Sequence, residues 1–523
     1  MTTLSRTDIE QRIANGDCIV IYENRVLKLN NWILKHPGGD KAIYHMVGRD
    51  ATDEMNAYHS DQTRKLFKSF TIGTIDLPWK NFLPPIQGGE FRAKDGRVVG
   101  LYADRTGLQG IVGKLAVIEP SSVKDVNTRA SLDPFESKML EADLQKYPAL
   151  DYDTQNHIRE RYIALEKKLR DGGFFQCNYW AYAREFTRYT LFGLLAYTFL
   201  RIHWYVASAF FLGVMWHQLT FFVHDAGHLA ITHNYYIDNI AAVIIADFMG
   251  GLSAGWWKRN HNVHHLVTND PIHDPDIQHL PFFAVSTRLF HNVFSSFYER
   301  LLVFDPFAKV MLRAQRYTYY FILSFGRFNL YRLSWEYLLI GLGPRRGKAA
   351  FIRYLEITGM LFFTYWFFYL LVGKALPDNK TRFIYIMVSH ITTMPVHVQI
   401  VLSHFAMSTA DLGVDESFPQ KQLRTTMDVD CPVWLDFFHG GLQFQAVHHL
   451  FPRMPRHNFR SAQKLVKQFC EETGIEYSIY TFTKGNQKVL SHLQEIANQA
   501  RVLLECSKHY EEEAESGKLH SMI

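Results

Sequence analysis

Apolar and polar positions divide the 523-residue chain into blocks of different period. Residues 1 to about 77 alternate on a short scale. Two strand-like runs, Cys18-Ile19-Val20-Ile21-Tyr22 and Arg25-Val26-Leu27-Lys28-Leu29, flank the turn residues Glu23-Asn24, which predicts a small α+β domain. Residues 78–180 read as a connector, rich in Pro and Gly at first and ending in an amphipathic stretch over about 153–170 with Gly172-Gly173 at its C-terminal end. Residues 181–470 hold four long apolar runs, about 187–202, 204–223, 352–372 and 383–404, each near the length that crosses a bilayer. The apolar stretch 239–257 contains Asp247 and three glycines, so it reads as interfacial or buried. Residues 471–523 are predicted to be a cytosolic C-terminal tail.

The predicted architecture is therefore a small α+β domain followed by an all-α integral membrane domain with four spans and a cytosolic cap. Arg184 and Arg188 precede the first span, and Arg345, Arg346, Lys348 and Arg353 crowd the third. By the positive-inside rule these face the cytosol, and an even number of spans puts both termini there. Five cysteines without a CxxC pair argue against a disulfide framework or zinc ribbon and for a reducing compartment. A net charge of +5 on a chain of this length gives no reason to expect nucleic acid.

The chain has 25 histidines, and they cluster. His36-Pro37-Gly38-Gly39-Asp40 is followed by Gly48-Arg49-Asp50 and then His59. A six-coordinate haem needs two axial ligands on opposite faces, and two His from separate loops provide them. With both axial positions filled by protein, such a haem carries electrons and does not bind oxygen. This segment resembles cytochrome b5, which implies haem b with His36 and His59 as axial ligands.

Three further clusters are His224-Asp225-Ala226-Gly227-His228, His261-Asn262-Val263-His264-His265 and Gln445-Ala446-Val447-His448-His449. On a helix, positions i, i+3 and i+4 share a face. Seven clustered imidazoles exceed what one four-coordinate ion takes and suit two metals, and beside a haem electron donor redox-active iron is the sensible choice. His390, His397 and His404 recur every seven residues along the fourth run. His404, level with the clusters, is the expected extra ligand. His397 suits a channel or a neighbouring helix, and His390 a structural role. His217, His233, His273, His279 and His457 read as core, surface or supporting groups, and Asp274 and Asp276 as groups that could orient ligating imidazoles.

HDAGH, HNVHH and QAVHH, spaced against the apolar runs, resemble the membrane fatty-acyl desaturase superfamily. Gln445 opening the third box, with a fused cytochrome b5 domain, resembles its front-end branch. The segments HMVGRDATDEMNAYHSD and PWKNFLPPIQGG are most similar to fungal sphingolipid Δ8-desaturases. The resemblance implies oxygen-dependent desaturation of a ceramide long-chain base in the endoplasmic reticulum membrane. It also implies two non-haem irons and electrons from NADH through cytochrome b5 reductase. Carried over box by box, the iron ligands would be His224, His228, His261, His264, His265, His448, His449 and Gln445, with His404 matching an extra ligand. Rival readings are a front-end desaturase of fatty acyl chains (Δ5 or Δ6 type) and a sphingolipid or acyl hydroxylase on the same scaffold. A haem-containing membrane sensor or transporter is the non-enzymatic rival.

Overall fold

The computed structural model describes residues 2–100, 133–343 and 350–515. Arg345, Arg346 and Lys348, and the connector over 101–132, lie outside the described residues.

The N-terminal domain begins with the helix Arg6–Ala14. Ser5 caps it: its hydroxyl accepts from Asp8 N (3.1 Å) while Asp8 accepts from Ser5 N (3.0 Å). Three antiparallel strands follow, Ile19–Tyr22, Arg25–Lys28 and Thr71–Thr74, in sequential order. The predicted turn closes the first pair, with Tyr22 opposite Arg25 and Glu23 at φ 57°. Ile9, Ile13, Ile19, Ile21, Val26 and Leu27 form the core beneath this sheet. The helices Asp40–Tyr44, Thr52–Tyr58 and Asp61–Leu66 build the cleft beside it.

The amphipathic stretch forms the helix Tyr152–Asp171, with Asp151 accepting from Thr154 N at its start. It is more than a connector. Ile158, Tyr162, Leu165 and Leu169 recur at helical spacing and are buried with Phe418, Phe451 and Phe469, and Tyr162 donates to Leu450 O (2.7 Å).

Three helices are long and apolar enough to cross a membrane: Tyr205–Gly227, Ala350–Ala375 and Asn379–Leu402. They contain the expected run 352–372, all of 204–223 except its first residue, and most of 383–404. The expected first span, 187–202, lies in the helix Tyr179–Arg201, which does not meet the same measure. Arg184, Glu185 and Arg188 occupy its first half and Arg201 ends it, leaving too short an apolar run. The bent pair Tyr235–Met249 and Ala254–Leu266 passes the measure only when taken together and turns by 117°, the geometry of a broken span or a re-entrant loop. Gly251 (φ +67°) stands at that bend, against Phe363, where an added Cβ would come within 2.2 Å of the ring. The last span is itself interrupted after Ile391 and restarts at Met394 with Pro395 in its first turn. His404 lies beyond its end.

The polar region between the second and third spans holds two helices the pattern did not announce, Pro306–Ser324 and Gly326–Ile340. Residues 471–515, for which the sequence predicted only a tail, fold back. Ile479–Thr481 pairs in parallel with Asp428–Asp430. The helix Phe482–Glu515 then packs Ile496, Ala500 and Leu503 with Leu312, and Gln315 donates to Leu493 O (2.8 Å).

Candidate haem and metal centres

His36 ends a single helical turn, and His59 ends the helix Thr52–Tyr58. Each ring is fixed through Nδ1, which donates to Gly39 O (2.7 Å) in His36 and to Met55 O (2.9 Å) in His59. That tautomer leaves both Nε2 lone pairs free. The ring centres are 6.0 Å apart. One metal ion bound to both, at the roughly 2 Å of a metal–imidazole bond, calls for about this separation. Burial, with the charges of His36 and Arg453 adding to it, pushes His59 down to about 3, so the ring stays neutral and able to ligate. Gly38 is required at its position, since a Cβ there would lie 2.8 Å from His36 Cε1. These residues fit a bis-histidine haem.

The three boxes converge. Candidate ligand nitrogens of His224, His228, His261 and His448 all lie within 4.8 Å of one another, and those of His264, His404 and His449 form a second such set. His265 stands between the sets, its ring centre 4.7 Å from that of His448 and 4.1 Å from that of His449. Its Nε2 is 3.0 Å from His261 Nε2. Buried ring nitrogens of His224, His228, His265, His448 and His449 have no hydrogen-bond partner, and Gln445 Oε1, also buried, is in the same condition. Orphaned polar atoms in such number are costly in a dry interior unless something else binds them. Two adjacent sets of imidazoles with free lone pairs fit two metal ions.

Supporting groups set the tautomers of the second set. His264 Nδ1 donates to Asp274 (2.9 Å), His449 Nδ1 to Gln422 Oε1 (2.8 Å) and His404 Nδ1 to Thr425 O (3.2 Å). Asp274 is anchored by Asn269 N and Asp276 N, both at 2.8 Å. Asp276 itself groups with His261 and His264. Burial holds His404, His448 and His449 far below the ordinary histidine range, in the neutral form that ligates. Asp274 was visible in the sequence as an orienting candidate. Gln422, Thr425 and Asn269 were not, because they reach the site through tertiary packing and carry no spacing signal.

Among the described residues, the other histidines join neither set. His390 bonds Tyr331 Oη (3.1 Å) and Ile386 O (2.8 Å) and stacks on Phe328. His217 stacks on Phe438, and His397 packs against Gly326. His233, His273, His279 and His457 bond Phe175 O, Ser296, Asp276 O and Glu185. In the aromatic run of the third span, Phe363 and Phe367 are buried beside Trp216, while Phe362, Tyr365, Phe368 and Tyr369 face outward.

One helix serves both centres. Ala254–Leu266 carries His261, His264 and His265, and also Arg259, which donates to Asp40 (2.9 Å), and Asn262, which donates to Gly38 O (3.3 Å). From the other side Tyr58, next to His59, meets the ring of His265 edge-on with centres 6.0 Å apart. The haem ligands and the buried, imidazole-lined pocket thus meet on one helix, through Asp40–Arg259, Gly38–Asn262 and Tyr58–His265.

Fold and site thus define a membrane protein that joins a bis-histidine haem module to a histidine-rich two-metal pocket. Residues 202–481 match the fatty acid desaturase family, and residues 5–76 match the cytochrome b5-like haem/steroid binding domain. The chain belongs to the fatty acid desaturase family, in a form fused to cytochrome b5. The first module implies haem and the second implies iron. A Delta 8-(E)-sphingolipid desaturase of Kluyveromyces lactis is 55% identical over 99% of this chain and 96% of its own. One from Komagataella phaffii is 54% identical over 98% and 97%. Delta(8)-fatty-acid desaturase 1 of Arabidopsis thaliana is 30% identical over 95% and 94%.

Proposed function

We propose that this protein introduces the Δ8 (E) double bond into the long-chain base of a sphingolipid. The observation that carries the reading is the identity of more than half of all positions, over nearly the whole chain, to relatives bearing that name. The joined haem and metal pockets support the chemistry. Two hydrogens leave adjacent methylenes, one molecule of oxygen is reduced to two of water, and the balance needs two further electrons and two protons. When bound, the irons would supply the oxidising power for an unactivated C–H bond, and the haem would supply electrons one at a time.

His224, His228, His261, His264, His265, His404, Gln445, His448 and His449 are assigned to the iron pair, and His36 and His59 to the haem. The chain's own part is to fix these imidazoles through Asp274, Gln422 and Thr425, and to keep water from the pocket with Trp257 and Phe459, whose rings abut His261 and His448. Cytochrome b5 reductase is assigned as the electron source and the endoplasmic reticulum membrane as the location, with both termini and the metal pocket cytosolic.

Expression in a host that makes sphingolipids without Δ8 unsaturation, followed by mass analysis of the long-chain bases, tests the proposal. New Δ8-unsaturated base is expected. Unchanged bases with newly unsaturated acyl chains would move the assignment to the fatty-acyl alternative, and hydroxylated bases to the hydroxylase.

A further inference from the structure

The haem domain meets the rest of the chain through paired charges. Asp40 takes Arg259, Lys41 pairs with Glu299, and Arg159 donates to Asp50 (3.0 Å) and Asp53 (2.8 Å). Two cations on the desaturase side of this contact make no ion pair among the described residues. Arg453 is 6% exposed, its Nε has no partner, and its only hydrogen bond runs from Nη2 to the His233 ring (3.3 Å). Neighbouring Phe451 and Met454 pack in one cluster with Ala57 and Tyr58, the residues that precede His59. Burial and the nearby charge of Arg170 pull Arg453 down to about 10, and the carboxylates within reach are already engaged: Asp61 with Arg64 and Arg170, and Asp238 with Thr232. Lys258, half-buried, lines a cavity of about 400 Å³ with His36, Gly39, Asp40 and Glu356. The Asp40 carboxylate is taken up by Arg259, and that of Glu356 by Ser253 and Gly255 N. The Lys258 ammonium lies over the Tyr235 ring and bonds Asn239 Oδ1 (3.1 Å).

Arg453 is a buried cation without an ion pair, which is costly to keep, and an anion offsets that cost most directly. The charge of Arg453 acts on His59 and that of Lys258 on His36, so each axial histidine has one of these desaturase-side cations near it. Haem b carries two carboxylates on one edge of its ring. We propose that Arg453 and Lys258 receive these carboxylates, so that a single haem is held by its axial histidines in one domain and by cations of the other. The inference rests on the haem reading of His36 and His59. It makes the haem part of the domain contact: haem binding strengthens docking, and docking slows haem loss. It also tunes the haem, because a cation beside it favours the reduced form, which is more negative by one charge.

The test uses the full chain in detergent, with haem or with haem dimethyl ester, whose carboxylates are uncharged. Haem loss to excess apomyoglobin and the haem midpoint potential are recorded for the unmodified chain and for R453Q, R453K and K258Q. The proposal expects R453Q to lose haem roughly tenfold faster or more, the scale of one charge-assisted hydrogen bond, with a more negative potential. It expects K258Q to shift both in the same direction and R453K to recover part of the loss. With the ester, R453Q and the unmodified chain should release the group at equal rates. Unchanged haem loss and potential in both R453Q and K258Q would overturn the proposal, as would equal acceleration by R453Q with haem and with the ester. Should R453Q not fold, the unmodified chain decides alone: the ester must leave about tenfold faster than haem, and equal rates overturn the proposal. A chain lacking any bis-imidazole haem spectrum would sink the haem reading first, and this inference with it.

Discussion

Single residues set which nitrogen each imidazole presents. His264, His404 and His449 point their Nε2 atoms inward because Nδ1 is spent on Asp274, Thr425 O and Gln422. His390 has both ring nitrogens satisfied by Tyr331 and Ile386. His264→Ala and His404→Ala are therefore expected to cut bound non-haem iron and abolish product while leaving the haem spectrum intact, whereas His390→Ala should leave iron content unchanged. Equal iron loss in all three variants would contradict this division. A second residue-scale expectation concerns Asp428, which is fully buried and accepts from Ala446 N (2.9 Å) and Gln463 (2.7 Å) at the start of the third box helix. Burial raises its carboxyl from 3.8 to about 6. A carboxyl raised on folding contributes stability that is fully present below pH 4 and is lost as pH rises through about 6, by up to about 3 kcal/mol. The thermal midpoint of the unmodified chain should therefore fall relative to Asp428→Asn between pH 4 and 6, and a constant difference across that window would contradict the assignment.

At the scale of elements, the helix Ala254–Leu266 is the organising piece, with metal histidines on one side and the haem loop on the other. Its approach to Tyr205–Gly227 depends on Gly227, where a Cβ would sit 2.1 Å from Trp257 Cζ3. Gly227→Ala should push these helices apart and cost about 1–3 kcal/mol, read as a lower thermal midpoint and weaker iron retention with the haem spectrum unchanged. Much at this scale was legible in the sequence because the signals are local. The strand pair around Glu23-Asn24, the amphipathic helix ended by Gly172-Gly173 and the three boxes each sit within twenty or so residues. What was not legible depends on distant partners. The helix Tyr179–Arg201 is apolar in its second half, where a span is expected, and the charges of its first half pair with partners far along the chain, such as Glu185 with Arg456. The bend of the pair Tyr235–Met249 and Ala254–Leu266 was foreshadowed by Asp247 and the glycines, which mark the stretch as buried or interfacial, but its angle is set by contacts such as Gly251 against Phe363. Nothing in the spacing around Gln422 or Arg453 distinguishes them from other buried polar side chains.

At the scale of the whole molecule, the haem domain is docked on the metal pocket through Asp40–Arg259, Gly38–Asn262 and Tyr58–His265. His36→Ala should remove the haem and abolish turnover, and excess free cytochrome b5 should restore little, because the tethered domain occupies the site a free one would need. Full rescue would show that the docked position is not the one that delivers electrons. The central claim is that one chain carries a haem and a separate pair of irons, and the ratio of total iron to extracted haem in the purified, active protein tests it most directly. The account predicts three irons per chain, one of them removed with haem b and two retained in the histidine pocket. An active protein with iron only in its haem, or with a single non-haem ion, would contradict it.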